Sequence, residues 1–329
     1  MKSSIIPRQS ALHDWVEGLN ITELPTSYQV LCGLSALGAC LKRTVFIDQL
    51  RWKVYPNMSV MLVGPSGIGK DVMIDQTREL IETTKAIPVL GGKTIDHVKA
   101  EMLKIGSPAA CYIAAPELTA FLGGKDYQKS MVQELTDLLS TGNKCDVSTK
   151  GEGKQIIPFP TVTMHAGTTG EWLARAMPDG SLEGGFLPRF VIVCEEYSRK
   201  HVAWVKYETS RMGLIAAQQA KAKYSKAVKN IVAEMCGKAY EMIPSEGAKD
   251  FYRNWYGNRF SYFSAIVRPY ANRSRDHIHR LAMLMALTCG RRHLEEVDYQ
   301  FAAEVIAHVA VGIDRVIAPI VVGQRRIRR

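Results

Sequence analysis

The sequence lacks several features that would place the chain in a familiar class. No apolar run among its 329 residues is long enough to span a bilayer, and the first residues do not have the pattern of a signal peptide. Its seven cysteines are scattered, and no pair of them has the spacing of a zinc site. We therefore expect a protein that does not enter a membrane, binds no zinc and keeps its thiols reduced in a cytoplasm.

What the sequence does contain is an ordinary globular composition with an excess of positive charge. Hydrophobic residues make up 47% and charged residues 22% of the chain, which suits a large buried core. The net charge is +10. Such an excess favours a polyanionic partner, and nucleic acid is the partner we expect. A basic protein without such a partner is the alternative.

One glycine-rich stretch stands out between an apolar run at 59–63 and a helical pattern that follows it. It consists of Gly64, Pro65, Ser66, Gly67, Ile68, Gly69, Lys70, Asp71 and Val72. Strand, glycine-rich turn, Gly-Lys and helix together are the context of a phosphate-binding P-loop. The glycines let backbone N–H groups close around phosphate oxygens, and the helix N-terminus adds its positive dipole end. This pattern predicts that the stretch binds ATP, with Lys70 reaching the β- and γ-phosphates; a tight turn without a ligand is the alternative.

Strands and helices alternate around this stretch. Strands are expected at 59–63, 87–90, 110–114, 161–165 and 190–194, and helices at 71–85, 95–105, 128–140 and 171–176. The alternation predicts an α/β fold, a three-layer core with a parallel sheet. Ligands of such a sheet bind at the carboxyl ends of its strands.

The flanking segments have a different pattern. Helices near 10–19 and 27–41 and short strands at 44–47 and 52–55 precede the core, and after Tyr197 we expect helices without further strands. The predicted division is therefore an N-terminal helical segment packed on the core (1–50), an ATPase core (51–200), a C-terminal helical lid (201–318) and a basic tail (319–329).

Two positions depart from the usual ATPase pattern. The residue after Lys70 is Asp71, where Ser or Thr would ligate magnesium, and Ala115 stands where an aspartate would precede Glu117. Glu117 ends an apolar strand, so we expect it to polarise the attacking water; a carboxylate that answers a helix dipole is the alternative. We hypothesise that Asp71 supplies, from the helix, the missing carboxylate for Mg²⁺ or its waters. A site that binds ATP and hydrolyses it poorly is the other interpretation.

Two further residues could complete the site. Thr168, with Thr169 or His165 beside it, follows an apolar strand and could lie near the γ-phosphate; an N-cap or a core histidine is the alternative. Arg189 follows two glycines and precedes another apolar strand. In a ring it would reach the nucleotide of the neighbouring copy, whereas its alternative is a surface ion pair.

A lysine-bearing segment lies between Glu117 and the strand at 161–165. Lys144, Lys150 and Lys154 flank a Gly-Glu-Gly turn that is typical of a hairpin. Contact with DNA phosphates is one interpretation of these lysines, and an exposed charged loop is the other.

The order of these segments resembles a known group. The segments 55–57, 64–71, 116–118, 166–173 and 184–190 look like the P-loop ATPases of phages and integrated mobile elements, a group of helicase-like proteins known mainly as a domain of unknown function. More distantly, residues 187–190 resemble the arginine-finger motif of AAA+ helicases of the minichromosome-maintenance type. The resemblance covers roughly residues 25–315.

The resemblance implies an AAA+ core with a helical lid, a hexameric or similar ring, and ATP- and Mg²⁺-driven movement on DNA. By it, Lys70 would be the phosphate lysine, Glu117 the catalytic glutamate, Thr168 the first sensor, Arg189 the finger acting in trans, and Arg273 a second sensor. The hairpin carrying Lys144, Lys150 and Lys154 would contact DNA. The expected setting is phage DNA replication in the cytoplasm of a bacterial host, on single-stranded DNA, with a loader or primase as a possible partner.

The first hypothesis is therefore a DNA-dependent ATPase, a replication helicase or helicase-like motor. The second is an ATP-gated DNA-binding scaffold with little hydrolysis that recruits replication or recombination proteins; Asp71 and Ala115 favour it, while Glu117 and Arg189 oppose it. A small-molecule P-loop kinase is a third reading, which the helical C-terminal segment and the Arg189 motif disfavour.

Overall fold

The N-terminal part is organised by one buried helix. The structure, a computed structural model, describes residues 1–91, 94–123, 125–140, 142–149, 153–176, 185–198 and 200–327. Its first elements are α1 (Ala11–Leu19), α2 (Thr26–Leu41), β1 (Val45–Asp48) and β2 (Lys53–Val54). Helix α2 is buried over almost its whole length. Small residues permit this, because a Cβ on Gly33 would lie 2.6 Å from Trp15, and one on Gly38 would lie 2.4 Å from the Pro56 carbonyl oxygen.

The central part alternates strands and helices. It contains β3 (Ser59–Val63), α3 (Lys70–Thr84), β4 (Val89–Gly91), α4 (Ile95–Ile105), β5 (Ala110–Ala115), α5 (Leu118–Leu122), α6 (Lys125–Leu138), β6 (Lys144–Thr149), β7 (Gly153–Pro158), β8 (Thr161–Thr168), α7 (Gly170–Ala176) and β9 (Phe190–Cys194). Five of these strands form one sheet in the order β4-β5-β8-β3-β9, and each neighbouring pair is parallel. The predicted α/β fold with a parallel sheet is confirmed, and the arrangement is compatible with a three-layer core.

The remaining two strands of the central part form a hairpin. Strands β6 and β7 pair antiparallel, from Lys144 opposite Pro158 to Thr149 opposite Gly153. The predicted hairpin is therefore present. Its tip, which includes Lys150, lies outside the described residues.

The C-terminal part is mainly helical, as expected. It contains α8 (Val205–Glu208), α9 (Arg211–Met235), β10 (Tyr240–Glu241), α10 (Glu246–Asn258), α11 (Arg268–Thr288) and α12 (Glu296–Ile327). The expectation that strands end at Tyr197 is wrong, because β10 pairs parallel with β1 and forms a three-stranded sheet with β1 and β2. Strand β10 has two residues, too few for a periodic pattern in the sequence. In the described part of the chain, no helix has the length and apolar character needed to cross a membrane.

A tyrosine of α11 covers the outer edge of the parallel sheet. The Tyr270 hydroxyl accepts a hydrogen bond from the Ile192 N–H (3.2 Å) and donates one to the Phe190 carbonyl oxygen (2.9 Å). Both backbone groups belong to the edge strand β9. Tyr270 is fully buried, so its side chain supplies the hydrogen bonds that a further strand would otherwise supply.

Three buried histidines make the stability of the fold dependent on pH. Burial lowers the pKa of His165 and His277 to about 3 and that of His279 to about 4. Each stays neutral in a polar contact: His165 with Ser35, His277 as the donor to the Pro188 carbonyl oxygen, and His279 with the Tyr299 hydroxyl. Unfolding lets each histidine take up a proton below its ordinary pKa of 6.5. Their contribution is therefore complete above pH 6.5 and is lost as the pH falls towards 3, the lowest of these folded-state pKa values.

We expect the free energy of unfolding to fall by about 5 kcal/mol between pH 6.5 and pH 5 from these three groups, because each contributes up to roughly 1.4 kcal/mol per pH unit once its unfolded form is fully protonated. Urea unfolding at a series of pH values measures this. His277→Gln, which keeps a donor to Pro188, should reduce the slope by about a third, whereas His201→Gln, at an exposed position, should leave it unchanged. Equal slopes in the His277 variant and the parent would contradict the assignment.

Candidate nucleotide site

The glycine-rich loop, residues 64–69, connects β3 to α3. Gly67 and Gly69 have φ angles of +84° and +87°, a region that favours glycine. A Cβ on Gly69 would also lie 2.4 Å from Leu24, whereas one on Gly67 would meet nothing within 4 Å. Glycine is therefore required at 67 by the backbone conformation alone and at 69 by close packing as well.

The residues that hold the start of this loop are not apparent from the sequence. The carbonyl oxygen of Val63 accepts hydrogen bonds from the Tyr28 hydroxyl (2.8 Å) and the Glu195 N–H (2.9 Å). A Cβ on Gly64 would lie 2.7 Å from the Glu195 carbonyl oxygen. Glu195 directly follows an apolar strand, and this position was the available signal. Tyr28 offered none, because it comes from a helix distant in sequence.

The Glu195 carboxylate belongs to a polar cluster behind the loop. It accepts hydrogen bonds from Ser27 and from His308, the latter at 3.0 Å. Burial raises the pKa of Glu195, but these hydrogen bonds outweigh it, and the pKa lies below its ordinary value. The cluster ties α2, the end of β9 and α12 together, so it fixes the loop from behind.

Lys70, the first residue of α3, lies over the loop. Its Nζ donates to the carbonyl oxygens of Gly64 (2.8 Å) and Pro65 (2.7 Å). Burial lowers the pKa of Lys70, and the nearby carboxylates of Asp71 and Glu117 oppose this shift. The structure therefore brings Lys70, Asp71 and Glu117 into one electrostatic neighbourhood.

The strand order explains how residues far apart in sequence meet here. Strand β8 lies between β3 and β5, with Thr168 opposite Val63 and Ala166 opposite Ala115. All three strands end at the same edge, so the loop after β3, Thr168 and Glu117 leave the sheet side by side. A Cβ on Gly167 would lie 2.2 Å from the Pro116 carbonyl oxygen. Gly167 thus permits the close approach of β8 to the turn that carries Glu117.

His165 and Thr168 of β8, and Thr169 directly after it, have different roles among those that the sequence left open. Thr169 caps α7, because its Oγ1 accepts a hydrogen bond from the Trp172 N–H (3.1 Å). His165 is buried and contacts Ser35 at 2.7 Å, which is the core role. Thr168 is buried at the end of β8, where its Oγ1 has a long contact of 3.4 Å with the Thr169 carbonyl oxygen. Of the three, Thr168 keeps a position suited to sensing a bound phosphate.

Glu117 stands at the N-cap position of α5 but caps no backbone N–H. Its side chain is exposed, and its Oε1 accepts a hydrogen bond from Thr119 at 3.4 Å. The alternative role, a carboxylate answering a helix dipole, has little support, since α5 has five residues and a dipole that short is weak. The carboxylate is instead exposed at the edge where Lys70 lies.

The fit of this site to magnesium can be judged from its carboxylates. Asp71 is exposed in the first turn of α3. Within the described residues, no group of three or more His, Cys, Asp or Glu side chains could hold a metal ion. Mg²⁺ bound with a nucleotide needs one or two carboxylates, with phosphate oxygens and waters as its other ligands. Asp71 and Glu117 fit that requirement, and no all-protein site is needed.

Arg189 lies at the opposite edge of the sheet. It precedes β9, whereas the glycine-rich loop follows the parallel neighbour β3, and a strand of five residues is about 16 Å long. Its guanidinium donates to Ser140 Oγ (3.0 and 2.8 Å) and to the Gly185 carbonyl oxygen (2.6 Å). Burial, and secondly the charge of nearby Arg273, lower the pKa of Arg189 to about 10. Arg189 is thus half-buried and distant from the loop of its own chain.

Arg273 is placed with Arg189 and not with Lys70. It belongs to α11, which packs against the turn containing Arg189 through the hydrogen bond from His277 to Pro188. A role of Arg273 at a nucleotide bound by Lys70 of its own chain therefore has no geometric support. Its expected role as a second sensor stays a prediction.

The lysines expected to contact DNA are only partly described. Lys144 is exposed at the base of the hairpin. Lys154, in β7, lies opposite Ser148 of β6 in the strand pairing. Lys150 lies outside the described residues. The hairpin is present, and its contact with DNA stays a prediction.

Comparison with known proteins adds no further constraint. No protein-family model matches the chain, and the search of curated proteins found no match. The class that the structure defines is an α/β protein with a five-stranded parallel sheet.

Proposed function

We propose that the protein is an ATP-dependent DNA motor, an AAA+-like P-loop ATPase that works as a ring, hexameric or similar, with Arg189 acting in trans. The observation that carries this proposal is the division of residues between the two edges of one sheet. Lys70, Asp71, Glu117 and Thr168 meet at the carboxyl edge, and Arg189 lies at the amino edge. A ring joins the two edges, since the amino edge of one copy can face the carboxyl edge of the next.

The chemistry follows from these positions. The loop N–H groups and Lys70 hold the phosphates of ATP. Asp71 and Glu117 would hold Mg²⁺ or its waters, and the bound ion would supply neutralisation of phosphate charge. Glu117 accepts a proton from a water molecule while the oxygen of that water forms a bond to the γ-phosphorus. The bond from that phosphorus to the bridging oxygen breaks, and ADP and phosphate are released. Arg189 of the neighbouring copy stabilises the charge that spreads over the transferred group.

DNA is the proposed track for this motor. The net charge of +10 and the exposed Lys144 at the hairpin support a phosphate-bearing partner. Single-stranded DNA is the form we propose, in the setting of phage replication in a bacterial cytoplasm.

A second candidate is an ATP-gated DNA-binding scaffold. Asp71 occupies the position of the magnesium-binding hydroxyl, and Ala115 occupies that of the strand aspartate, so hydrolysis could be slow while binding persists. Such a protein would assemble on DNA with ATP and recruit other replication or recombination proteins. Turnover stimulated by single-stranded DNA favours the motor, and ATP-dependent assembly with negligible turnover favours the scaffold.

The central test is Lys70→Ala. Removing the ammonium deprives the phosphates of their cation, and we expect ATP turnover with single-stranded DNA to fall by roughly 100-fold or more. Steady-state phosphate release measures this, alongside the mass of the protein with and without ATP. Lys85→Ala, an exposed lysine just after α3, is the control. Undiminished turnover in the Lys70 variant would refute the site.

Asp71 gives a separate test of the magnesium hypothesis. If its carboxylate holds magnesium or its waters, Asp71→Ala should lower magnesium-dependent turnover by about tenfold, the loss typical of an outer-shell partner. Asp71→Ser, which restores a hydroxyl, should recover part of that loss. Asp75→Ala, one turn along the same helix, serves as the control. Unchanged turnover in both Asp71 variants would end the hypothesis.

A further inference from the structure

A large basic cleft lies between α11 and the turn that joins β1 to β2. Its volume is about 630 Å³, which is within the range of small-molecule sites. Six basic and two acidic side chains line it, an excess of four positive charges. The basic ones are Arg43, Arg51, Lys53, Arg273, Arg275 and Arg280. No residue of the glycine-rich loop is among its lining residues, so the basic cleft is distinct from the Lys70 site.

Arg280 is the strongest indication that the cleft binds an anion. It is 6% exposed, and its Nε has no hydrogen-bond partner among the residues that the structure describes. Burial lowers the pKa of Arg280 to about 10, yet an arginine with that pKa remains charged at neutral pH. A buried charged group with an unsatisfied N–H is costly. An anion in the cleft would remove that cost.

The acidic residues of the cleft compensate these charges only in part. Asp276 lies 3.6 Å from the Nε of Arg273 and 3.6 Å from the Nε of Arg275, distances too long for hydrogen bonds. Positions 273, 276 and 280 share one face of α11, because helical neighbours recur every three to four residues. One carboxylate thus serves three guanidinium groups, which leaves positive charge for a ligand.

Aromatic rings continue the cleft on one side. The ring of Trp52 is 46% exposed and lies under the Arg275 guanidinium, 5.4 Å from its carbon to the ring centroid. A smaller cavity of about 190 Å³ begins beyond Trp52, where Tyr252, Tyr256 and His279 line it. Arginine groups and stackable rings next to each other match the two parts of a nucleotide, the phosphate and the base.

We propose that the basic cleft binds a nucleoside phosphate, with its phosphate against Arg280 and Arg273 and its base against Trp52 and Tyr256. The ligand is either one unit of a single-stranded nucleic acid or a free nucleotide, which share this chemistry. The site goes beyond the proposed ATPase, since it requires neither Lys70 nor a ring.

The test uses the full chain carrying Lys70→Ala, so that nucleotide binding at the glycine-rich loop does not contribute. Two fluorescent probes, a short oligothymidylate and a labelled ADP, are titrated and followed by anisotropy. We expect at least one probe to bind, and Arg280→Met and Trp52→Ala each to weaken that binding by about tenfold or more. Arg211→Met and Trp204→Ala, at exposed positions outside the cleft, are the matched controls and should change it less than about twofold.

The outcomes separate the two sources of the ligand. Binding of the strand alone identifies a nucleic-acid site, and binding of ADP alone identifies a nucleotide site. Thermal unfolding adds a readout for Arg280→Met, whose midpoint should rise because the variant removes a buried charge that shares Asp276 with two other arginines. Absence of binding by either probe overturns the proposal. Unchanged affinity in Trp52→Ala also overturns the proposal, whatever the result for Arg280→Met. The Trp52 ring is half exposed, so its replacement does not threaten the fold.

Discussion

Glu117→Gln should keep ATP binding and lose ATP turnover. The amide is the same size as the carboxylate but cannot accept a proton from the attacking water, and positioned general bases contribute about 100- to 10,000-fold to such reactions. We therefore expect turnover to fall within that range while the affinity for ATP stays within about threefold. Phosphate release measures the first quantity, and equilibrium titration with a fluorescent ATP analogue measures the second.

The exposed position of Glu117 makes this variant a clean one. Its side chain caps no helix backbone and contacts Thr119 at a long 3.4 Å, so the fold should be unaffected. Glu79→Gln, on the exposed face of α3, is the matched control. If Glu117→Gln turns over ATP like the parent, Glu117 does not activate the water, and the scaffold candidate gains.

Arg189→Ala should abolish ATP turnover, and mixing it with a second inactive variant should restore part of that turnover. Arginine fingers supplied by a neighbour contribute about 1,000- to 100,000-fold, so the variant alone should be inactive. When it is mixed with Lys70→Ala protein, some interfaces combine an intact Lys70 with an intact Arg189 from the next copy. We expect those mixtures to regain a measurable share of the parent's activity, as phosphate release against mixing ratio would show.

Recovery on mixing separates a finger from a structural arginine. Arg189 donates hydrogen bonds to Ser140 and Gly185, and its loss could lower stability as well as activity. A misfolded subunit cannot rescue its neighbour, so recovery requires a folded partner with a complete site. Arg211→Ala is the control for charge. If mixtures of two folded variants stay inactive, or if the parent remains a single chain in ATP, action in trans is excluded.

Local patterns account for the parts of the fold that the sequence predicts well. The strand before Lys70, the helix after it and the alternation up to β9 each depend on neighbouring residues, so periodicity and glycine placement reveal them. Helix α5 and strand β10 were missed because they have five and two residues. Strand β10 depends on pairing with β1, almost two hundred residues earlier in the chain, and no local window carries that information.

In the candidate site, too, some residues are predictable from local sequence and others are not. Lys70 and Asp71 are adjacent in sequence, and Glu117 could be expected at the same edge because parallel strands end together. Arg273 could not be placed, since helical spacing gives its face on α11 but not the neighbour against which α11 packs. The basic cleft was missed for that reason, because Arg43 and Arg280 come from opposite ends of the chain and meet only after folding.

The tyrosine that covers β9 also limits how copies of this protein can join. Because the Tyr270 hydroxyl occupies the Ile192 N–H and the Phe190 carbonyl oxygen, a neighbour cannot extend the sheet there by adding a strand. Any contact along that side must form between side chains, which can separate and re-form as subunits shift. A mechanical ring needs such joints, whereas continuous backbone pairing would make them rigid.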